Sequence, residues 1–160
     1  MAIHVAEASG SPMRATDRVR AIAGVGLEGD RYATRTGHWS DNLKVDRHVT
    51  LVAAEELDRL AEAGISLAPG ETRRNVTTRG IDLNALVGER FRIGGVVCEA
   101  TRLCEPCQYL ADLVGQPVLE PLVHRAGIRA RILTDGEIAV GDAVGVDEAV
   151  AQTEAVAPAD

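Results

Sequence analysis

The sequence predicts a mostly β domain with short helices, an α+β chain in which strands outnumber helices. Two observations carry this. Short stretches of apolar or alternating residues at 3–8, 19–23, 48–52, 89–93, 96–103, 129–133 and 137–144 suit half-buried strands. Glycine turns separate several of them, with Gly94-Gly95 and Asp135-Gly136 as hairpin signals. Helical spacing is confined to a few segments, of which 54–63 is the clearest.

With 160 residues the chain fits one domain able to bury roughly two-thirds of its unfolded surface without disulfides. The expected division is a domain over 1–147 and a frayed tail over 148–160, where Ala, Val, Pro and acids run without caps or turns. Hydrophobic residues make up 46% and aromatics 2%, so Val, Leu, Ile and Ala must build the core, and stacking platforms for bases are not expected. The net charge of -7 argues against a general nucleic-acid or polybasic membrane surface. Three cysteines, no signal-peptide pattern and no membrane-length apolar run point to the cytoplasm, where thiols stay reduced.

Along the chain, a strand at 3–8 turns at Ser9-Gly10-Ser11-Pro12, and a second at 19–23 leads into Gly24-Val25-Gly26-Leu27-Glu28-Gly29-Asp30-Arg31. Those glycines permit close backbone approach, for a barrel corner or for a ligand. No amphipathic helix follows them, which disfavours a dinucleotide fold. Residues 34–44, including His38 and Trp39, are polar and aperiodic, a loop or lid. After a strand at 48–52, Leu57, Leu60 and Ala61 define one helix face, closed by Gly64. Further on, 81–87 suits a helical turn, 106–115 a helix opened by Pro106, and 118–126 another closed by Gly127. Cys98 reads as a small buried hydrophobe within a strand.

Two stretches concentrate polar chemistry. Glu71-Thr72-Arg73-Arg74-Asn75-Val76-Thr77-Thr78-Arg79-Gly80 offers three arginines, an asparagine and three threonines, donors suited to an anionic ligand. In an extended strand Arg73, Asn75 and Thr77 face one way and Arg74, Val76 and Thr78 the other, so both arginines share a pocket only if a bulge intervenes. A solvated edge strand is the competing reading. The second stretch is Cys104-Glu105-Pro106-Cys107, which places Cys107 in the first turn of a helix, where the dipole favours a thiolate.

In order along the chain, Gly26 to Arg31, Arg73 to Thr77, Val87-Gly88-Glu89-Arg90-Phe91-Arg92-Ile93-Gly94, Pro106-Cys107, and Arg125 to Ala130 through Gly141-Asp142 together resemble the MOSC domain. The resemblance runs from about Gly24 to Val146 and implies a MOSC-type β-barrel that holds a molybdenum pterin or handles sulfur through a cysteine. It implies Cys107 as the molybdenum ligand and Arg73, Arg74, Asn75 and Thr77 as cofactor-binding residues; Asp30 and His124 are added, as titratable side chains, as candidate proton relays. Relatives of the amidoxime-reducing enzymes reduce N-hydroxylated bases, so the implied activity is a molybdenum-dependent oxidoreductase with a small N-hydroxylated substrate. The chain shows no flavin or iron–sulfur motif, and an external electron-donor protein is expected. The alternative is a sulfur carrier in which Cys107 holds a persulfide received from a cysteine desulfurase. A Cys104–Cys107 dithiol and a structural zinc site fit less well, for want of a βαβ context and of four ligands.

Overall fold

The computed structural model describes residues 2–40 and 47–147; the expected tail at 148–160 and positions 41–44 of the expected loop lie outside the described residues. The described residues form eleven strands: β1 (Ala2–Val5), β2 (Arg14–Thr16), β3 (Arg18–Ile22), β4 (Gly26–Leu27), β5 (Val49–Ala53), β6 (Val76–Thr78), β7 (Arg90–Ile93), β8 (Val96–Leu103), β9 (Ile128–Ile132), β10 (Gly136–Ala139) and β11 (Val144–Val146). Two α-helices, α1 (Ala54–Glu62) and α2 (Gln108–Val114), and 3₁₀ turns at Pro69–Thr72 and Leu83–Leu86 join them. Among the described residues no helix is long and apolar enough to cross a membrane.

Eight strands form one curled, half-barrel sheet in the order β11-β7-β8-β9-β5-β6-β1-β2, and β10-β3-β4 form a second. The mostly β, short-helix architecture is thus as the sequence predicts. The main core follows from alternation: Val96, Cys98 and Ala100 of β8 and Ile128, Ala130 and Ile132 of β9 are buried, with the less buried Val97, Glu99, Arg129 and Arg131 between them. Each wholly buried Ile, Leu or Phe, such as Phe91 or Ile138, contributes roughly 1.5–3 kcal/mol. At the sheet centre alternation disappears, because β5 and β6 are covered on both faces. These two strands pair in parallel, with α1 within the connection between them. The donor-rich stretch therefore runs into an interior strand, which rules out the solvated edge.

A second, smaller core gathers Leu57 and Leu60 of α1, Leu67, Leu110 of α2, Val118, Leu122 and Ala126. Ala61, expected on the buried face of α1, is exposed. The segment 118–126 is a chain of turns where a helix was expected. Pro121 supplies no N–H and His124 has φ 61, so helical bonding cannot propagate, yet Val118, Leu122 and Ala126 still reach the core. The expected strand at 137–144 also divides. Gly141 has φ 98 and the Asp142 carboxylate accepts from the Ala139 N–H at 2.9 Å, turning the chain from β10 to β11 in the other sheet. Strand β2 was not expected, since its residues are largely exposed and do not alternate.

Gly127 is fixed by space. A Cβ there would lie 1.8 Å from the Leu51 carbonyl oxygen, and φ is 97. Gly127→Ala is expected to lower unfolding stability by about 3 kcal/mol or more, measured by urea denaturation. A loss below about 1 kcal/mol would show that β5 and β9 can separate there cheaply.

Candidate functional site

The 3₁₀ turn Pro69–Thr72 delivers the chain to Arg73 in a left-handed conformation, φ 64 and ψ 16. This supplies the break in alternation that the sequence argument required, and Arg73 and Arg74 both line one cavity of about 330 Å³. Arg74 is only 8% exposed, and its guanidinium donates to three carbonyls: Ala126 at 2.9 Å, Cys104 at 2.8 Å and Thr72 at 3.3 Å. Arg73 donates through Nη1 to the Ser11 carbonyl, while its Nε and Nη2 are buried without a partner among the described residues. Burial, and then the neighbouring Arg31 charge, push the Arg73 guanidinium below the usual arginine range. An anion in the cavity would relieve both effects.

Behind the arginines lies a polar staple. Asn75 Oδ1 accepts from Thr50 N at 3.0 Å and Thr50 Oγ1 at 3.1 Å, and Nδ2 donates to the His4 carbonyl at 3.1 Å and Asp30 Oδ1 at 3.3 Å. Asp30, 0% exposed, also accepts from Ala6 N and Arg31 Nη1, both at 3.1 Å. Arg31 in turn donates through Nη2 to the Arg73 carbonyl at 3.0 Å, so the glycine-rich turn and the donor-rich segment are tied together.

Six arginines line the cavity: Arg31, Arg47, Arg73, Arg74, Arg102 and Arg129. Arg102 and Arg129 are opposite one another on β8 and β9, a like-charge pairing that an antiparallel sheet disfavours. Among the described residues Glu105 is the one acidic side chain in the lining, and its carboxylate is engaged by His124 N at 2.8 Å and Nδ1 at 3.0 Å. Among the described lining residues arginines thus outnumber carboxylates, in a chain of net charge -7.

Cys104 and Cys107 complete the wall, and both are free and half-buried. Cys104 donates through its N–H to the Gly127 carbonyl at 2.8 Å, which anchors the loop. Cys107 stands one residue before α2, with φ -138 and ψ 166, and its carbonyl accepts from Ala111 N. It is the helix cap and not, as the sequence suggested, part of the first turn: helical geometry begins only at Gln108, after the extended Pro106-Cys107 pair. Cys98 is sealed in the core, where burial pushes its thiol up to about 12.

Of the residues singled out in the sequence, Arg73, Arg74 and Cys107 meet in the cavity. Asn75 and Asp30 sit behind it as supports, and Thr77 is buried in β6 with no partner for its hydroxyl among the described residues. His124 is outside the lining on an exposed turn, holding Glu105. Sequence reasoning missed Arg47, Arg102 and Arg129, and also Tyr32 and Tyr109. The available signal was the alternation of arginines with apolar residues in β9 and the lone Arg102 near the end of β8, which shows a common cavity only once their pairing is known.

The family model for the MOSC domain matches residues 28–145, a span that includes both arginine-bearing segments and both cavity cysteines. The chain belongs to the MOSC domain family. Among solved structures, the YuaD protein from Bacillus subtilis aligns with a TM-score of 0.73 at 20% identity, covering 89% of this chain and 91% of that one. YiiM from Geobacillus stearothermophilus aligns with a TM-score of 0.68 at 18% identity, over 91% of this chain and 72% of that one. For YiiM from Escherichia coli the values are 0.63, 18%, 91% and 69%. A search of curated proteins finds no match. These likenesses establish the MOSC fold.

The three thiols should react in two classes. With a thiol reagent at pH 8 the folded MOSC protein is expected to titrate Cys104 and Cys107 and to leave Cys98 until denaturant is added. Reaction of all three at one rate in the native protein would contradict the buried placement of Cys98.

Proposed function

We propose that this MOSC protein binds the molybdenum cofactor in the arginine-lined cavity and reduces N-hydroxylated bases or related compounds, with electrons from an external donor protein. The observation that carries the reading is Arg73: it lines the same cavity as Cys107, and two of its guanidinium nitrogens are buried with no hydrogen-bond partner among the described residues. Buried donors of this kind are costly until an acceptor arrives, and a phosphate is the acceptor that guanidinium geometry matches best. Among the described residues no three His, Cys, Asp or Glu side chains converge on a metal-sized site. A metal held here would therefore bring most of its ligands with it, as a pterin dithiolene does, and take one soft thiolate from the protein.

In this assignment Arg73 and Arg74 bind the phosphate, Cys107 offers its sulfur to the metal, and Asn75 with Asp30 holds the arginines in register. When bound, the cofactor supplies a metal centre able to pass two electrons to an N–O bond. The overall change consumes two protons and releases an amine and water. Leu103 and Leu110 give the cavity an apolar side, and Glu105 is held by His124. His124 thus acts on the cysteine loop through Glu105, and Asp30 on Arg73 through Arg31.

A second reading, a persulfide carrier loaded by a cysteine desulfurase, draws on the presence of Cys104 beside Cys107 in the cavity lining. One experiment separates the two. The protein and its Cys107→Ser variant are purified from a cofactor-producing host and assayed for molybdenum, pterin and labile sulfur. The cofactor reading predicts near-stoichiometric metal and pterin in the wild type, with metal falling at least about tenfold in the variant. Little metal, together with sulfur that appears after desulfurase treatment and requires Cys107, would replace that reading by the carrier.

A further inference from the structure

The chain contains one Trp, two Tyr and one Phe. Phe91 is wholly buried in the main core, whereas Trp39, Tyr32 and Tyr109 all line the arginine cavity. The low aromatic content argues against stacking platforms only as an average over the chain. In space, three of the four aromatic residues line this one cavity.

Each of those rings has a neighbour in contact with it. The Arg31 guanidinium lies 4.7 Å from the Tyr32 centroid, and the backbone at Gly37 is so close that a Cβ there would come within 2.5 Å of the Tyr32 Cε1. Tyr109 shares a hydrogen bond of 3.0 Å with Ser9 Oγ, and His38 stacks on its ring with centroids 3.8 Å apart and planes 8° from parallel. His38 also meets Trp39 edge-on at 4.7 Å, and the Arg47 guanidinium lies 5.2 Å from the Trp39 centroid. Trp39 nevertheless keeps 39% of its surface exposed.

Rings ordered before a ligand arrives lose little entropy when it binds. Flat π-faces flanked by guanidiniums reward a planar conjugated ring that carries acceptor atoms. An acyclic molecule with the same polar group gains the guanidinium contacts and forgoes the stacking. We propose that Trp39, Tyr109 and Tyr32 are specificity-determining residues that make the cavity select planar nitrogen heterocycles over acyclic ligands bearing the same polar group. The proposal rests on the cavity being the ligand site, and it does not require a metal there. Two sources supply such a ring: the pterin of a cofactor and the base of an N-hydroxylated substrate.

The test uses the full chain made in a host unable to synthesise the pterin, titrated calorimetrically with three probes. Pterin-6-carboxylate represents the cofactor source, 6-hydroxylaminopurine the substrate source, and acetohydroxamate is the acyclic N-hydroxylated control. At least one ring probe is expected to bind about tenfold or more tightly than the control. Tyr109→Leu and Trp39→Leu should each weaken that probe about tenfold, with Tyr109→Phe close to wild type. The probe that responds identifies the source. Since Trp39 is the sole tryptophan, saturation of the wild type with that probe should also change its fluorescence, a readout independent of how the variants fold. Ring and acyclic probes binding equally, leucine variants binding like wild type, or an unchanged emission at saturation would overturn the stacking wall while leaving the cavity as a ligand site. Failure of all three probes to bind would overturn both.

Discussion

The buried amide of Asn75 is the constraint on which the rest of the site depends. Its oxygen takes both the N–H and the hydroxyl of Thr50, and its nitrogen reaches the His4 carbonyl and the Asp30 carboxylate. One side chain thus connects β5, β1 and the glycine-rich turn. Each bond is worth roughly 0.5–1.5 kcal/mol net, but a partner left unsatisfied in the interior costs about 1–3 kcal/mol. The same region fixes Arg31 on Asp30 and, through Arg31, the backbone of Arg73. Removing the amide would loosen the arginines without touching any of them.

Above this staple the electrostatics run against the average of the chain. A protein of net charge -7 collects six guanidiniums around one cavity, where Glu105 is the one acidic residue among the described lining residues and is held by His124. Arg31 has Asp30 as a counter-ion, and Arg74 is neutralised only by carbonyl dipoles. Such a cluster of guanidiniums attracts an anion, and low local dielectric strengthens that attraction. The two thiols at the other side of the lining give the cavity a soft, nucleophilic pole beside its hard cationic one.

Much of this was legible from residues alone, for reasons that also mark where legibility ended. Strands such as β8 and β9 declare themselves because one face is buried and alternation follows; β5 and β6, buried on both faces, declare themselves by composition instead. The Cys107 segment and the Arg73-Arg74 pair stood out as chemistry in excess of scaffold needs. What sequence could not supply was adjacency. Nothing local says that Arg102 lies opposite Arg129, or that Tyr109 lies under His38. The helix expected at 118–126 failed because apolar spacing of i, i+4 and i+8 was satisfied by turns around Pro121, and burial does not record which backbone achieved it. Asp30 and His124 drew notice as titratable groups, yet their partners, Arg31 and Glu105, make them supports of the cavity walls.

The most direct measurement of the central claim, an anion site built on Arg73, is the thermal midpoint of the metal-free protein as inorganic phosphate replaces chloride at constant ionic strength. Binding to the native state alone raises stability by RT ln(1 + [L]/Kd), so the wild-type midpoint should climb with phosphate. In Arg73→Gln the climb should be lost, whatever the variant's starting stability. A midpoint that ignores phosphate, or one that rises equally in both proteins, would contradict the account.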